Sequence, residues 1–212
     1  MDVDTYDALK KISLHLNAKS KKDNGFGKTC QILLAITFCR LGFQVENYSS
    51  QGVDIDIWNH SQYPNFSVEV KTTIKDTVQL GEKDVEGLKK KEDEGYKTAF
   101  AVLPINSLSG WLIVNAKGII KSSNIPLTRL NNKTRILPDL QKEVNQVFPK
   151  VIADYEIEIL RRLSDDVLMY LDKNLEKEKI NAALTDEEAE EDEKVDLTKN
   201  QFFRSDNASQ FL

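Results

Sequence analysis

Two alternating segments constrain the fold more than anything else in the chain. Val53-Asp54-Ile55-Asp56-Ile57-Trp58 and Phe66-Ser67-Val68-Glu69-Val70-Lys71 each place apolar side chains at every second position. Strand side chains point to opposite faces in turn, so each segment offers one face to a core while the other carries ionisable groups. The intervening NHSQYPN is rich in turn-formers, and the pair reads as an antiparallel hairpin. If residues with odd index sums pair, Asp54, Asp56, Glu69 and Lys71 all fall on the same face of that hairpin.

The flanking segments supply an α/β context. Ala8, Leu9, Ile12 and Leu16 form a helical stripe. A second helix, from about Thr29 to Leu41, is apolar on most faces and stops at Gly42, so it belongs against a sheet. A short strand starts at Phe43; a charged helix spans 82–94, and apolar strands span 98–103 and 111–114. The order predicts a mixed central β-sheet flanked by helices. Residues 117–150 are polar and expected to cover one face. A stripe from Ile152 through Tyr155, Ile159, Leu163, Val167, Leu171 and Leu175 predicts a long amphipathic helix over 151–183. The expected organisation is an α/β domain over 1–150, that C-terminal helix, and a disordered acidic tail over 184–212.

Charge bears on what the chain can bind. The net charge of -5 over 212 residues argues at first against a polyanionic ligand. Yet residues 186–196, DEEAEEDEKVD, concentrate eight acids beside one lysine, and the remainder is slightly basic. No apolar run approaches the ~20 residues that span a bilayer. The N-terminal MDVDTYD is acidic where a secretory leader is basic, so a cytoplasmic protein with no membrane partner is expected. Cys30 and Cys39, on the apolar helix, read as buried thiols, and His15 and His60 lack zinc-ligand spacing.

Four ionisable residues on one strand face admit a plain reading, ordinary alternation with a solvated side. The hairpin's place in the middle of an α/β chain speaks against it. Strands there are covered on both faces, and buried acids are costly unless they bind something. Carboxylate oxygens on a rigid sheet suit Mg²⁺, which keeps several waters and takes one or two protein acids. Phosphodiester hydrolysis uses such a set, with a cation to polarise the phosphoryl oxygen and a lysine to orient water and neutralise developing charge.

Asp54, then Glu69-Val70-Lys71 within an aliphatic strand, resembles the active site of the PD-(D/E)XK nucleases. The surroundings are similar to the archaeal Holliday junction resolvase and restriction-endonuclease-like branch: Gly27 opens a helix, Gln31 stands where that branch carries a Glu, and Gly42-Phe43 closes it. The resemblance covers roughly residues 24–120. It implies a restriction-endonuclease-like fold in which Asp54, Glu69 and the main-chain carbonyl of Val70 bind Mg²⁺ or Mn²⁺. Lys71 is then the catalytic lysine. Gln31 brings an amide that can ligate or orient water but carries no charge. The carboxylate partnering Glu69 is Asp54 or Asp56; Asp54 is favoured because it follows the glycine-led start of its strand. DNA is the implied substrate and a homodimer the implied assembly.

Lys21, Lys22 and Lys28 lie around Gly25 and Gly27 before a helix N-terminus, where they would contact phosphates or simply solvate a linker. The expected activity is a metal-dependent DNA endonuclease. Two alternatives stand beside it: a DNA-binding protein of the same fold with weak or absent catalysis, and an assembly or adaptor protein acting through the C-terminal helix. In the last case the tail's Phe202-Phe203 and Phe211-Leu212 would anchor a protein partner.

Overall fold

The computed structural model describes residues 1–17, 25–48, 52–119, 122–132, 135–164 and 166–184. Lys21, Lys22 and the acidic tail lie outside them. The elements in chain order are α1 (Val3–Asn17), α2 (Gly25–Arg40), β1 (Gln44–Asn47), β2 (Ile55–Trp58), β3 (Phe66–Thr73), β4 (Thr77–Leu80), α3 (Glu82–Asp93), β5 (Lys97–Pro104), β6 (Leu112–Asn115), β7 (Ser122–Pro126), α4 (Leu127–Leu130) and α5 (Pro138–Arg161). A further helix, α6, covers 166–184.

Five strands form a mixed sheet in the order β1-β2-β3-β5-β6, with β3 and β5 parallel and the other neighbours antiparallel. Helix α3 is the crossover that joins the parallel pair, the connection such strands require. Ile55, Ile57, Val68, Val70, Ala99 and Ala101 belong to the larger core, together with residues of α1, α2, α5 and α6. Twelve of the sixteen residues of α2 are buried, as its apolar circumference predicts.

The opposite face is divided. On β5 and β6 it is apolar: Phe100, Val102, Leu112 and Val114 meet Val78, Leu80, Leu88 and Ile125 in a second, smaller core. On β2 and β3 it is polar and lies against α3. That helix approaches closely at Gly87, where an added Cβ would lie 2.8 Å from the Gly52 main chain. Only glycine fits there, so α3 can lie flush over the polar half of the sheet.

The edge strand β6 is closed by an isolated antiparallel bridge between Val114 and Ile136 and by side chains of α5. Ile113 N–H donates to Gln141 Oε1 (2.9 Å) and Trp111 N–H to Asn145 Oδ1 (2.7 Å), while Asn145 Nδ2 donates to the Trp111 carbonyl (2.8 Å). Two polar residues of α5 thus satisfy an edge that would otherwise invite pairing.

The segments after residue 116 depart from expectation. Instead of one helix over 151–183 there are two, α5 beginning at Pro138 and α6 over 166–184. The apolar stripe already begins at Leu140, Val144 and Phe148, all buried, and α5 passes straight through Pro149. The break comes at Arg162, whose backbone is extended and whose carbonyl lies 2.9 Å from His15 Nε2. Ser164-Asp165-Asp166 carries the polar and acidic residues that favour a helix start. The strands β4 and β7, which form a separate two-stranded sheet, were not anticipated. Among the described residues no helix is long and apolar enough to cross a membrane.

Candidate active site

The β2–β3 register pairs Ile55 with Val68 and Asp56 with Ser67, both odd index sums, so the hairpin's ionisable residues share the face beneath α3. Asp54, just ahead of β2, is fixed through its main chain. Its N–H donates to the Val68 carbonyl (3.2 Å), and its own carbonyl accepts the Tyr48 N–H (2.8 Å). One carboxylate oxygen, Oδ2, accepts the Val70 N–H at 2.7 Å.

Glu69 projects from the middle of β3 and is 2% exposed. Lys71 Nζ donates to its Oε1 at 2.6 Å, and the other oxygen, Oε2, is buried with no hydrogen-bond partner. A buried carboxylate oxygen left unpaired is costly, and it leaves an acceptor open to a bound group. Burial pushes the Glu69 carboxyl up to about 8; the Asp54 charge adds to this and Lys71 opposes it. Burial also holds Asp54 above the usual carboxylate range, against the pull of the Val70 N–H and the Lys71 charge. Burial alone would lower Lys71, but Glu69 and Asp84 outweigh it and hold the ammonium above its ordinary value.

A cleft of about 280 Å³ opens over this cluster, lined by Lys28, Gln31, Tyr48, Gly52, Val53, Asp54, Glu69, Lys71, Lys83 and Asp84. Its polar residues come from four places: the N-terminal part of α2, the ends of the β1–β2 pair, the middle of β3, and the first turn of α3. Among the described residues no three His, Cys, Asp or Glu side chains converge into a ready metal cage. Two adjacent carboxylates that burial holds above their usual range, one with an orphaned oxygen, nevertheless fit a hard divalent cation that completes its shell with water.

The structure separates Asp54 from Asp56. Asp56 is 2% exposed and both its oxygens are occupied. Oδ1 accepts the Ser67 hydroxyl, while Oδ2 accepts the Tyr48 hydroxyl (2.9 Å) and Lys91 Nζ (2.7 Å). It acts as a satisfied buried acid that ties α3 to the sheet.

Gln31 does not present its amide nitrogen to the cleft. Nε2 lies 2.8 Å from Asn47 Oδ1, 2.9 Å from the Tyr48 carbonyl and 3.2 Å from the Asp54 carbonyl. It therefore clamps the main chain that carries Asp54. Lys28 of α2 and Lys83 of α3 both border the cleft.

Sequence reasoning missed Lys83, Asp84 and Lys91. A signal for two of them was present: Asp84, Leu88 and Lys91, spaced four and three apart, make the inward stripe of α3. A lone leucine between two charges does not look like a buried face, so the stripe was not evident. It becomes one because the sheet beneath is itself polar.

In structural comparison the chain is similar to the Holliday junction resolvase Hjc of the archaeal hyperthermophile Archaeoglobus fulgidus. The two are 18% identical over 46% of this chain and 88% of that one, with a TM-score of 0.38. No protein-family model and no curated protein matches the chain. The cleft itself brings together two adjacent carboxylates, the Lys71 ammonium and two further lysines, Lys28 and Lys83.

Proposed function

We propose that the chain is a metal-dependent DNA endonuclease of the PD-(D/E)XK type, cutting in the manner of junction resolvases or restriction enzymes. The observation that carries this reading is the orphaned Glu69 Oε2, buried beside Asp54 and Lys71 in an open cleft. Asp54 and Glu69, with the main-chain carbonyl of Val70, would hold Mg²⁺ or Mn²⁺. Bound there, the cation supplies polarisation of the phosphoryl oxygen and a more acidic water. Lys71 donates to the attacking water or to the phosphate, its charge secured by its carboxylate partners. Lys28 and Lys83 bind the flanking phosphates, fixing the strand's register without reading its sequence.

Cleavage of four-way junction, duplex and single-stranded DNA in Mg²⁺ or Mn²⁺ tests the reading. A Lys71→Ala protein that cleaves all of them as fast as wild type overturns it. Removal of Lys28 and Lys83 is expected to weaken binding across sequences. It should also flatten the salt dependence by about one unit of slope for each phosphate no longer neutralised.

One observation favours a second reading, DNA binding without turnover. The Gln31 nitrogen is committed to Asn47, Tyr48 and Asp54, so α2 brings no acidic ligand to the cleft. That reading predicts salt-dependent DNA affinity with no cleavage at any Mg²⁺ or Mn²⁺ concentration.

A further inference from the structure

Lys71 carries a flexible four-carbon stem and three N–H donors, and its direction has to be fixed by its surroundings. Glu69 Oε1 takes the ammonium at 2.6 Å, and Asp84 Oδ2, from the first turn of α3, takes it at 3.0 Å. The same Asp84 oxygen accepts the Gly81 N–H at 2.7 Å, which satisfies one of the free amides at the helix start. Asp84 is therefore anchored to its own helix while it holds a side chain of the sheet. Leu88, one turn further on, is buried in the smaller core, and Lys91, two turns on, reaches Asp56, so the helix cannot roll without breaking all three interactions.

We propose that Asp84 is a positioning residue for the lysine of the cleft: the anchored Asp84 carboxylate holds the Lys71 ammonium over the site independently of Glu69. The need for a second holder follows from the proposed function, on which this inference rests. Among the described residues, Glu69 is the other carboxylate that pairs with Lys71, and it is also the group whose free oxygen invites a cation. With Glu69 drawn to that task, Asp84 keeps Lys71 from swinging into solvent along its partly exposed stem. The third acid of the cleft thus comes from α3 rather than from α2, whose Gln31 spends its amide nitrogen on Asn47 and the backbone.

Asp84→Asn separates holding from capping, because the amide oxygen still accepts the Gly81 N–H while the charge facing Lys71 is gone. Cleavage by this variant is expected to fall about 10- to 100-fold, with DNA affinity within about twofold of wild type and an unchanged melting temperature. Asp84→Glu is expected to recover part of the lost rate. A second readout is independent of turnover. In ¹H–¹⁵N spectra of lysine ammonium groups recorded on a Glu69→Gln protein, where Asp84 is the remaining carboxylate on Lys71, one slowly exchanging signal that vanishes on adding Lys71→Met should also vanish on adding Asp84→Asn. Cleavage within about twofold of wild type, or an undisturbed Lys71 signal, overturns the proposal. If the wild-type protein cleaves no DNA, the functional reading fails by itself, and the ammonium signal still decides whether Asp84 holds Lys71.

Discussion

Asp54 and Asp56 lie two residues apart, face the same side of one hairpin and are covered by one helix, yet their environments are opposite. Around Asp56, a hydroxyl from Ser67, a phenol from Tyr48 and the Lys91 ammonium fill every oxygen. Around Asp54 and Glu69, only Glu69 of the two pairs with Lys71, one of its oxygens is orphaned, and its carboxyl is pushed up to about 8 by burial and the Asp54 charge. A buried acid with complete partners acts as a structural fastener. A buried acid left incomplete costs stability that only a bound group can return. The proposed function belongs at the incomplete end.

The sharpest break of this contrast is a swap of effects between the two lysines. Lys71→Met is expected to lower DNA cleavage about a thousandfold or more while leaving the fold intact. Lys91→Met should leave cleavage within a few-fold at any temperature where the protein is folded, because Lys91 touches Asp56, Glu94 and aromatic rings and does not line the cleft. Rates for both variants under one set of conditions decide the matter, and equal losses would erase the distinction.

Stability should invert that order. Asp56→Asn breaks a buried, hydrogen-bonded charge pair and is expected to cost roughly 3 kcal/mol, read from chemical denaturation. Glu69→Gln is expected to do the reverse at alkaline pH without divalent cations. The folded carboxyl sits near 8, well above the usual range for an unfolded chain, about 4.3. Glu69 therefore contributes its full stability below the unfolded value, and that contribution is lost as pH rises through the folded one. The variant's advantage should emerge between about pH 4.5 and 8 and level off above, worth on the order of 1–3 kcal/mol. Melting curves in chelator across that window check it, and a variant less stable than wild type at about pH 9 would falsify the assignment.

The legible part of this molecule was whatever period and chain order alone decide. Alternation at 53–58 and 66–71 gave the hairpin and, strand by strand, the shared face of Asp54 with Asp56 and of Glu69 with Lys71; the odd-sum register that unites the two sets is fixed by the pairing of Ile55 with Val68. The all-round apolar stretch gave α2, although it begins at Gly25 rather than near Thr29. What period does not encode stayed hidden. Thr77–Leu80 alternates over only four residues and Ser122–Pro126 does not alternate, and they become strands by pairing with each other across a long stretch of chain. Asp84 and Lys91 look like an exposed helix surface until a polar sheet lies beneath them. The saturation of Asp56 depends on Tyr48, Ser67 and Lys91, which only tertiary structure brings together.

Gln31 provides the smallest and most specific test, because it concerns a residue whose type misleads. Restoring a glutamate there should recover charge if the position were a lapsed metal ligand. The surroundings argue otherwise: the amide nitrogen faces Asn47 Oδ1 and the carbonyls of Tyr48 and Asp54, all of them acceptors. A carboxylate would meet three oxygens with nothing to donate. Gln31→Glu is therefore expected to lose about 1–2 kcal/mol of stability and to lower cleavage modestly by loosening the Asp54 backbone. Gln31→Met, which keeps the length and brings neither donor nor charge, should lose less. Denaturation and cleavage measured on the pair separate the two roles, since a glutamate variant more active than wild type would return α2 to the cation site.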